Sequence, residues 1–303
     1  ERHAGGVAEV QMRDPGAEAC DRGVQLEAQK ARALLRVADV EAGADVRMVY
    51  SAADALRIAG EEPERHVVFL AVGFETTAPA TAVIVSRAAA AGVRNFSVLC
   101  NHVLTPSALL TILESPEVRE LGTLPIDGFV GPGHVSAVIG TRPYEFFAEE
   151  YQRPVAIAGF EPLDLLAAIA RLIDMVNSGK AEVANEYTRV VTRDGNEKAK
   201  RIVAEVFEHR RTFPWRGLGL VPYSGLRIRK AFETFDAEKR FAIPEIPAPE
   251  PPGCRCGAVL RGMLEPTQCP LFGTRCTPDQ PVGSCMVSSE GACAAYYRYR
   301  PAD

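Results

Sequence analysis

From residue 45 onward the chain alternates short apolar runs with stretches whose apolar positions return at helical spacing. The runs predict strands at 46–50, 66–72, 95–100, 126–130 and 154–158. The periodic stretches predict helices at 52–59, 80–91, 107–113 and 143–151. Continuous β-rich runs separated by helices suit a parallel sheet covered on both faces. The expected fold class is therefore α/β, with doubly wound parallel-sheet (Rossmann-like) domains. Residues 162–178 predict a longer amphipathic helix, with Pro162 at its first turn and Gly179 just past its end. A charged stretch at 181–209 also reads as helical. Ahead of residue 45 the chain is rich in Ala, Gly and Arg, with one helix-like segment at 25–40 carrying Leu26, Ala33, Leu34 and Val37.

The pattern breaks after Trp215. Gly217, Gly219, Pro222 and Gly225 follow in quick succession, and residues 243–252 run Ile-Pro-Glu-Ile-Pro-Ala-Pro-Glu-Pro-Pro, a stiff extended spacer. The expected organisation is a divergent or truncated N-terminal segment at 1–45 and an α/β region at 46–242, read as two lobes. A proline-rich linker at 243–253 and a small, loop-rich, cysteine-rich domain at 254–303 follow. The chain begins at Glu1 and not at Met, which reads as a fragment or a processed chain.

Composition narrows the classes. The 303 residues give room for about two domains, and 47% hydrophobic with 24% charged residues excludes wholesale disorder, collagen and coiled coil. A formal net charge of -5 argues against sequence-independent nucleic-acid binding. No apolar run approaches the roughly 18 residues of a membrane helix, and the start has no secretory signal. The expected compartment is the cytoplasm, with neither nucleic acid nor membrane as partner.

In open parallel sheets, ligands gather outside the carboxyl ends of the strands. Four such loops carry polar groups here: Gly-Phe-Glu-Thr-Thr-Ala-Pro at 73–79, Asn101-His102, Gly-Pro-Gly-His-Val-Ser at 131–136, and Gly-Phe-Glu-Pro at 159–162. Glycine lets the backbone approach a ligand, while Glu75, His102, His134 and Glu161 offer acid–base or hydrogen-bonding groups. The competing reading makes Glu75 and Glu161 helix caps and the histidines satisfied core or loop donors. His3, His66 and His209 have no such context. Neither a dinucleotide fingerprint, a P-loop nor a nucleophile signature is present. The repeated Gly-Phe-Glu hints at an internal duplication, too short to establish one.

Six of the eight cysteines fall between 254 and 293, spaced Cys-x-Cys-x12-Cys-x6-Cys-x8-Cys-x7-Cys; Cys20 and Cys100 stand alone. Dense cysteines in a large cytosolic chain point to metal or redox chemistry. Four thiolates suit zinc or an iron–sulfur cluster. The knuckles typical of structural zinc are missing, which favours iron–sulfur, with zinc and disulfides as alternatives. Two thiols are left over, enough for a redox pair beside the cluster. Pro270, Pro278, Pro281, Gly273, Gly283 and Gly291 suit a domain held together by its metal.

From about Glu41 onward, roughly 260 residues, the chain resembles the HypD family of hydrogenase maturation factors. The motifs that carry the likeness are those at 73–79, 131–136 and 159–162, with Cys-Asn-His-Val-Leu at 100–104, Tyr-Ser-Gly-Leu at 223–226, Cys-Thr-Pro at 276–278 and Cys-Met-Val-Ser-Ser-Glu-Gly-Ala-Cys at 285–293. The resemblance implies a scaffold on which iron with two cyanides and carbon monoxide is assembled for nickel–iron hydrogenase. It implies work with a HypC-type chaperone, with cyanide arriving through a HypE-type donor. It also implies a 4Fe-4S cluster in the C-terminal domain. Carried onto this sequence, the ligands are Cys254, Cys269, Cys276 and Cys293, and Cys256 with Cys285 form the redox pair. Family members also carry a Cys-Gly-x-His element that holds the iron and a Gly-Pro-x-Cys-Pro-x-Cys dithiol; this chain has neither. Cys20, in Ala19-Cys20-Asp21-Arg22, takes on neither role. Two other functions compete: an independent iron–sulfur thiol–disulfide oxidoreductase, and a degenerate relative that binds a cluster without building the iron centre.

Overall fold

The computed structural model describes residues 7–12, 45–120, 126–243 and 250–299. The helix expected at 25–40 and most of the expected linker lie outside the described residues. Strands β1 (Val7–Met12), β2 (Val46–Val49), β3 (His66–Gly73) and β4 (Phe96–His102) form one parallel sheet in the order β2-β1-β3-β4. Strand β1 is absent from the sequence expectations, because a six-residue run interrupted by Glu9 and Gln11 gives little β signal. Helices α1 (Ala52–Glu61) and α2 (Ala78–Ala90) cover one face, where Val67, Phe69 and Ala71 of β3 and Phe96, Val98 and Cys100 of β4 are buried together. Every second residue faces that way, the period of an extended strand. The opposite face, with Val68, Leu70 and Leu99, lies under Ala237, Phe241 and Ile243.

The chain then passes through α3 (Thr105–Glu114) and α4 (Pro116–Glu120) into a second parallel sheet. Strand β5 (Phe129–Gly131) leads to α5 (Gly133–Ile139), the short 3-10 turn Arg142–Tyr144 and α6 (Glu145–Glu149). Strand β6 (Val155–Ile157), α7 (Pro162–Asn177) and β7 (Val183–Asn185) complete it, in the order β5-β6-β7. Leu172 and Met175 of α7 pack on Ala156 and Ala184, while Tyr144, Phe147 and Leu113 fill the other face against Val155 and Ile157. The outward side of α7 is also apolar: Leu163, Leu166 and Ile173 stand 77%, 62% and 52% exposed.

One expectation fails here. The stretch 181–209 is not one helix; it divides into β7, a turn, α8 (Glu197–Val206) and strand β8 (Phe207–His209). Side chains set the breaks. Asn185 bonds the backbone of Tyr187 and Val191, folding the chain into a turn, and Asn196 accepts from the Ala199 N–H at 3.0 Å to start the helix afresh. Beyond it, β9 (Thr212–Trp215) and β10 (Gly219–Pro222) form an antiparallel hairpin. Strand β11 (Leu226–Ile228) pairs antiparallel with β8, and α9 (Ala237–Arg240) closes the region.

The cysteine-rich end contains α10 (Cys256–Leu260), α11 (Ser284–Val287) and α12 (Ala292–Tyr299), joined by loops. Among the described residues no helix is long and apolar enough to cross a membrane.

Candidate functional site

Loops and short helices draw Cys254, Cys256, Cys276, Cys285 and Cys293 into one small core, with Cys269 within electrostatic reach of Cys254. Cys256, Cys269, Cys276, Cys285 and Cys293 are buried and Cys254 half-buried, none in a disulfide. Val259, Met286, Ala294, Leu271 and Phe272 wall them in. Backbone N–H groups turn toward the sulfurs: Cys285 donates to Cys256 Sγ and Val282 to Cys276 Sγ, both at 3.3 Å. Cys256 Sγ also lies 3.0 Å from Ser284 Oγ, and Cys285 Sγ 3.1 Å from Cys293 Sγ. Gly283 has to lack a side chain, since a Cβ there would sit 2.5 Å from Cys254 Sγ.

The expected redox partners Cys256 and Cys285 are thus neighbours, but Cys285 is also a neighbour of Cys293, one of the four expected ligands. Cys254 lies within electrostatic reach of Cys256, Cys269 and Cys276, and burial holds its thiol above the usual range. The hydrogen bond from Cys256 pulls the Cys285 thiol down, but its own bond to Cys293 and burial outweigh that and push it up to about 12. A metal held by these thiols would displace their protons.

This donor set fits a 4Fe-4S cluster. It is all sulfur, desolvated, and supplied with N–H donors of the kind that stabilise bound thiolate. Among the described residues no three His, Cys, Asp or Glu side chains converge tightly enough to hold one ion.

The four strand-end residues divide between the two sheets, Glu75 and His102 at the first, His134 and Glu161 at the second. Glu75 is 6% exposed and accepts from Thr105 N at 2.7 Å and Thr105 Oγ1 at 3.0 Å, so it caps α3 and not the helix that directly follows it. Burial raises its pKa. Replacing Glu75 by Ala leaves the Thr105 N–H without an acceptor, and the expected loss is about 1–3 kcal/mol in urea unfolding. Glu75→Gln, which keeps an acceptor, is expected to lose less. His102 is 1% exposed, with Nδ1 3.3 Å from Thr77 Oγ1, Nε2 3.1 Å from Thr81 Oγ1 and its ring edge-on to Phe207. Burial lowers its pKa to about 4 and keeps it neutral at pH 7.

His134 and Glu161 lie at the second sheet, and both are exposed. The His134 ring stacks on Phe160 with centroids 3.9 Å apart. Glu161 stands 3.6 Å from Arg189, which is held in a two-pronged pair by Asp164 and lies over the Tyr187 ring. Asp164 also accepts from the Glu161 N–H at 3.2 Å, fixing the first turn of α7. Arg189 and Tyr187 escaped the sequence reading because they fall inside the stretch taken as helix. Ser284 escaped it too, although its place beside Cys285 was a usable signal.

The family described as Hydrogenase formation hypA family (HypD) matches residues 25–300. The chain belongs to the HypD family. The Hydrogenase maturation factor HypD of Cupriavidus necator is 66% identical over 257 residues, covering 85% of this chain and 68% of its own. The protein of that name from Rhizobium leguminosarum bv. viciae is 61% identical over 258 residues, covering 85% of this chain and 67% of its own. The one from Escherichia coli K12 is 46% identical over 262 residues, covering 85% of this chain and 68% of its own. The chain spans about two thirds of the length of these relatives, and the family match at 25–300 takes in the cysteine core.

Proposed function

We propose that this chain acts in hydrogenase maturation, as a scaffold for assembling an iron that carries two cyanides and one carbon monoxide. In this reading it works with a HypC-type chaperone and a HypE-type cyanide donor, in the cytoplasm, where thiols stay reduced. Cys254, Cys269, Cys276 and Cys293 hold a 4Fe-4S cluster, which supplies one-electron transfer when bound. Cys256 and Cys285 are the thiol pair beside it, and the iron under assembly is cargo. The observation that carries the reading is the gathering of free cysteines in one apolar core of a HypD-family chain, five within the core and Cys269 buried within electrostatic reach of Cys254.

The remaining assignments follow the same logic. The strand order β2-β1-β3-β4, which reverses direction at β1, supports the doubly wound description. Of the four strand-end groups, His134 and Glu161 are open to a ligand, while Glu75 and His102 act by holding the ends of β3 and β4 in shape. Anaerobic purification with a HypC-type chaperone is the test. Expected is a brown complex with about four iron per chain, and in the His134→Ala variant the same iron content with impaired hydrogenase maturation. Colourless, zinc-loaded protein that ignores the chaperone would defeat the proposal.

A further inference from the structure

A thiol that exchanges with a disulfide needs a straight approach to its sulfur, yet Cys256 is only 2% exposed. Its enclosure has two sources. One is its own lobe, through Ser284 and the backbone of Cys285. These walls cannot move without dismantling the cysteine core. The other is foreign to that lobe: the turn of the β9–β10 hairpin, residues 216–218, lies across the start of α10.

The contact is close because both sides lack side chains. Gly217 has φ +81°, and a Cβ on it would come within 3.5 Å of Cys256 Sγ and 3.0 Å of Leu260 Cδ1. A Cβ on Gly257 would meet the Gly217 carbonyl oxygen at 2.4 Å. Few bonds fasten the turn: Arg261 Nη1 donates to the Gly217 oxygen at 3.1 Å, and the Gly217 N–H donates to Glu250 Oε1 at 2.7 Å. Leu218 packs near Leu260 and Trp215. A hairpin turn held in this way, between strands of four residues each, is the least costly wall to open.

We propose that the tip of the β9–β10 hairpin is a removable cover over Cys256, which restricts the Cys256–Cys285 pair to disulfide partners able to displace it. This rests on the redox role given to the pair above. With the cover off, the Cys256 thiolate attacks one sulfur of a partner's disulfide, that S–S bond breaks, and the first partner thiolate leaves and takes a proton from water. The Cys285 thiolate then attacks the Cys256 sulfur and expels the second. The partner disulfide is reduced to a dithiol while the pair is oxidised to a disulfide, two electrons in all.

The experiment is iodoacetamide alkylation of the full, reduced, cluster-bearing chain under anaerobic conditions, with each cysteine followed by peptide mass spectrometry. Gly257→Ala favours the helix and drives a methyl group into the Gly217 carbonyl. Expected is alkylation of Cys256 about tenfold faster than in the parent, with the rates at Cys276 and Cys293 and the iron content unchanged. The double variant Glu250→Ala, Arg261→Ala removes the two hydrogen bonds from a distance and is expected to do the same, so a folding failure of the first variant does not end the test. An unchanged Cys256 rate in both overturns the proposal. So does an equal rise at all six cysteines, which would mean the lobe itself has loosened. Iron missing from the parent chain would count against the cluster alone and would leave the alkylation comparison readable.

Discussion

Replacement of Cys269 or Cys276 by Ser is expected to bleach the chain and release most of its iron. Serine oxygen is a hard donor and a poor substitute for thiolate on iron. With one of the four proposed ligands gone, the binding energy that would order the lobe goes too. The effect is large because little else holds this region: α10 and α11 are five and four residues long, too short to persist alone. Limited proteolysis within 250–299 and visible absorption should change together. Cys256→Ser and Cys285→Ser, outside the ligand set, are expected to keep both iron and colour. Retained iron and an unchanged spectrum in Cys269→Ser or Cys276→Ser would refute the assignment.

Acidification is expected to cost the fold about 2 kcal/mol by pH 5 and about 3 kcal/mol by pH 4 through His102 alone. In the folded chain burial lowers its pKa to about 4, whereas an unfolded histidine titrates near 6.5. Above pH 6.5 neither state holds the proton. Between the two values only the unfolded chain takes it up, so stability falls as the pH drops toward 4. His66, lowered to about 4 by burial and by Arg240, adds to the loss in the same direction. Urea unfolding at pH 7 and pH 5 measures this, and His102→Leu, which cannot titrate, should flatten the dependence. An equal slope in that variant would mean that other groups govern the acid limb.

Much of the fold is legible because burial on both faces writes continuous apolar runs: 66–72 became β3 nearly residue for residue. Three-residue strands such as β7 are another matter. They are too short to show any periodicity, and β7 disappears into a charged stretch whose later half really is helical. The turns that divide this stretch depend on where the side chains of Asn185 and Asn196 reach, which a window average does not register.

That the C-terminal cysteines belong together was legible from their density, six thiols within forty residues, although spacing alone left iron–sulfur, zinc and disulfides open. The strand-end acids and imidazoles were less so, because a polar letter at the end of a strand does not say which way it points. For His102 the alternation did hold the answer: Phe96, Val98 and Cys100 precede it two by two on the buried face. Glu75 depended on α3, thirty residues further on, which local reading does not connect to it.

Helix α7 turns Leu163, Leu166 and Ile173 toward water with only neighbours such as Arg171 and Asp174 to keep it dispersed. Those charges lose their reach as ionic strength rises, while sulfate and phosphate strengthen the drive to hide apolar surface. Concentrated sulfate or phosphate is therefore expected to drive this helix face to cover itself, as one of the exposed apolar surfaces among the described residues.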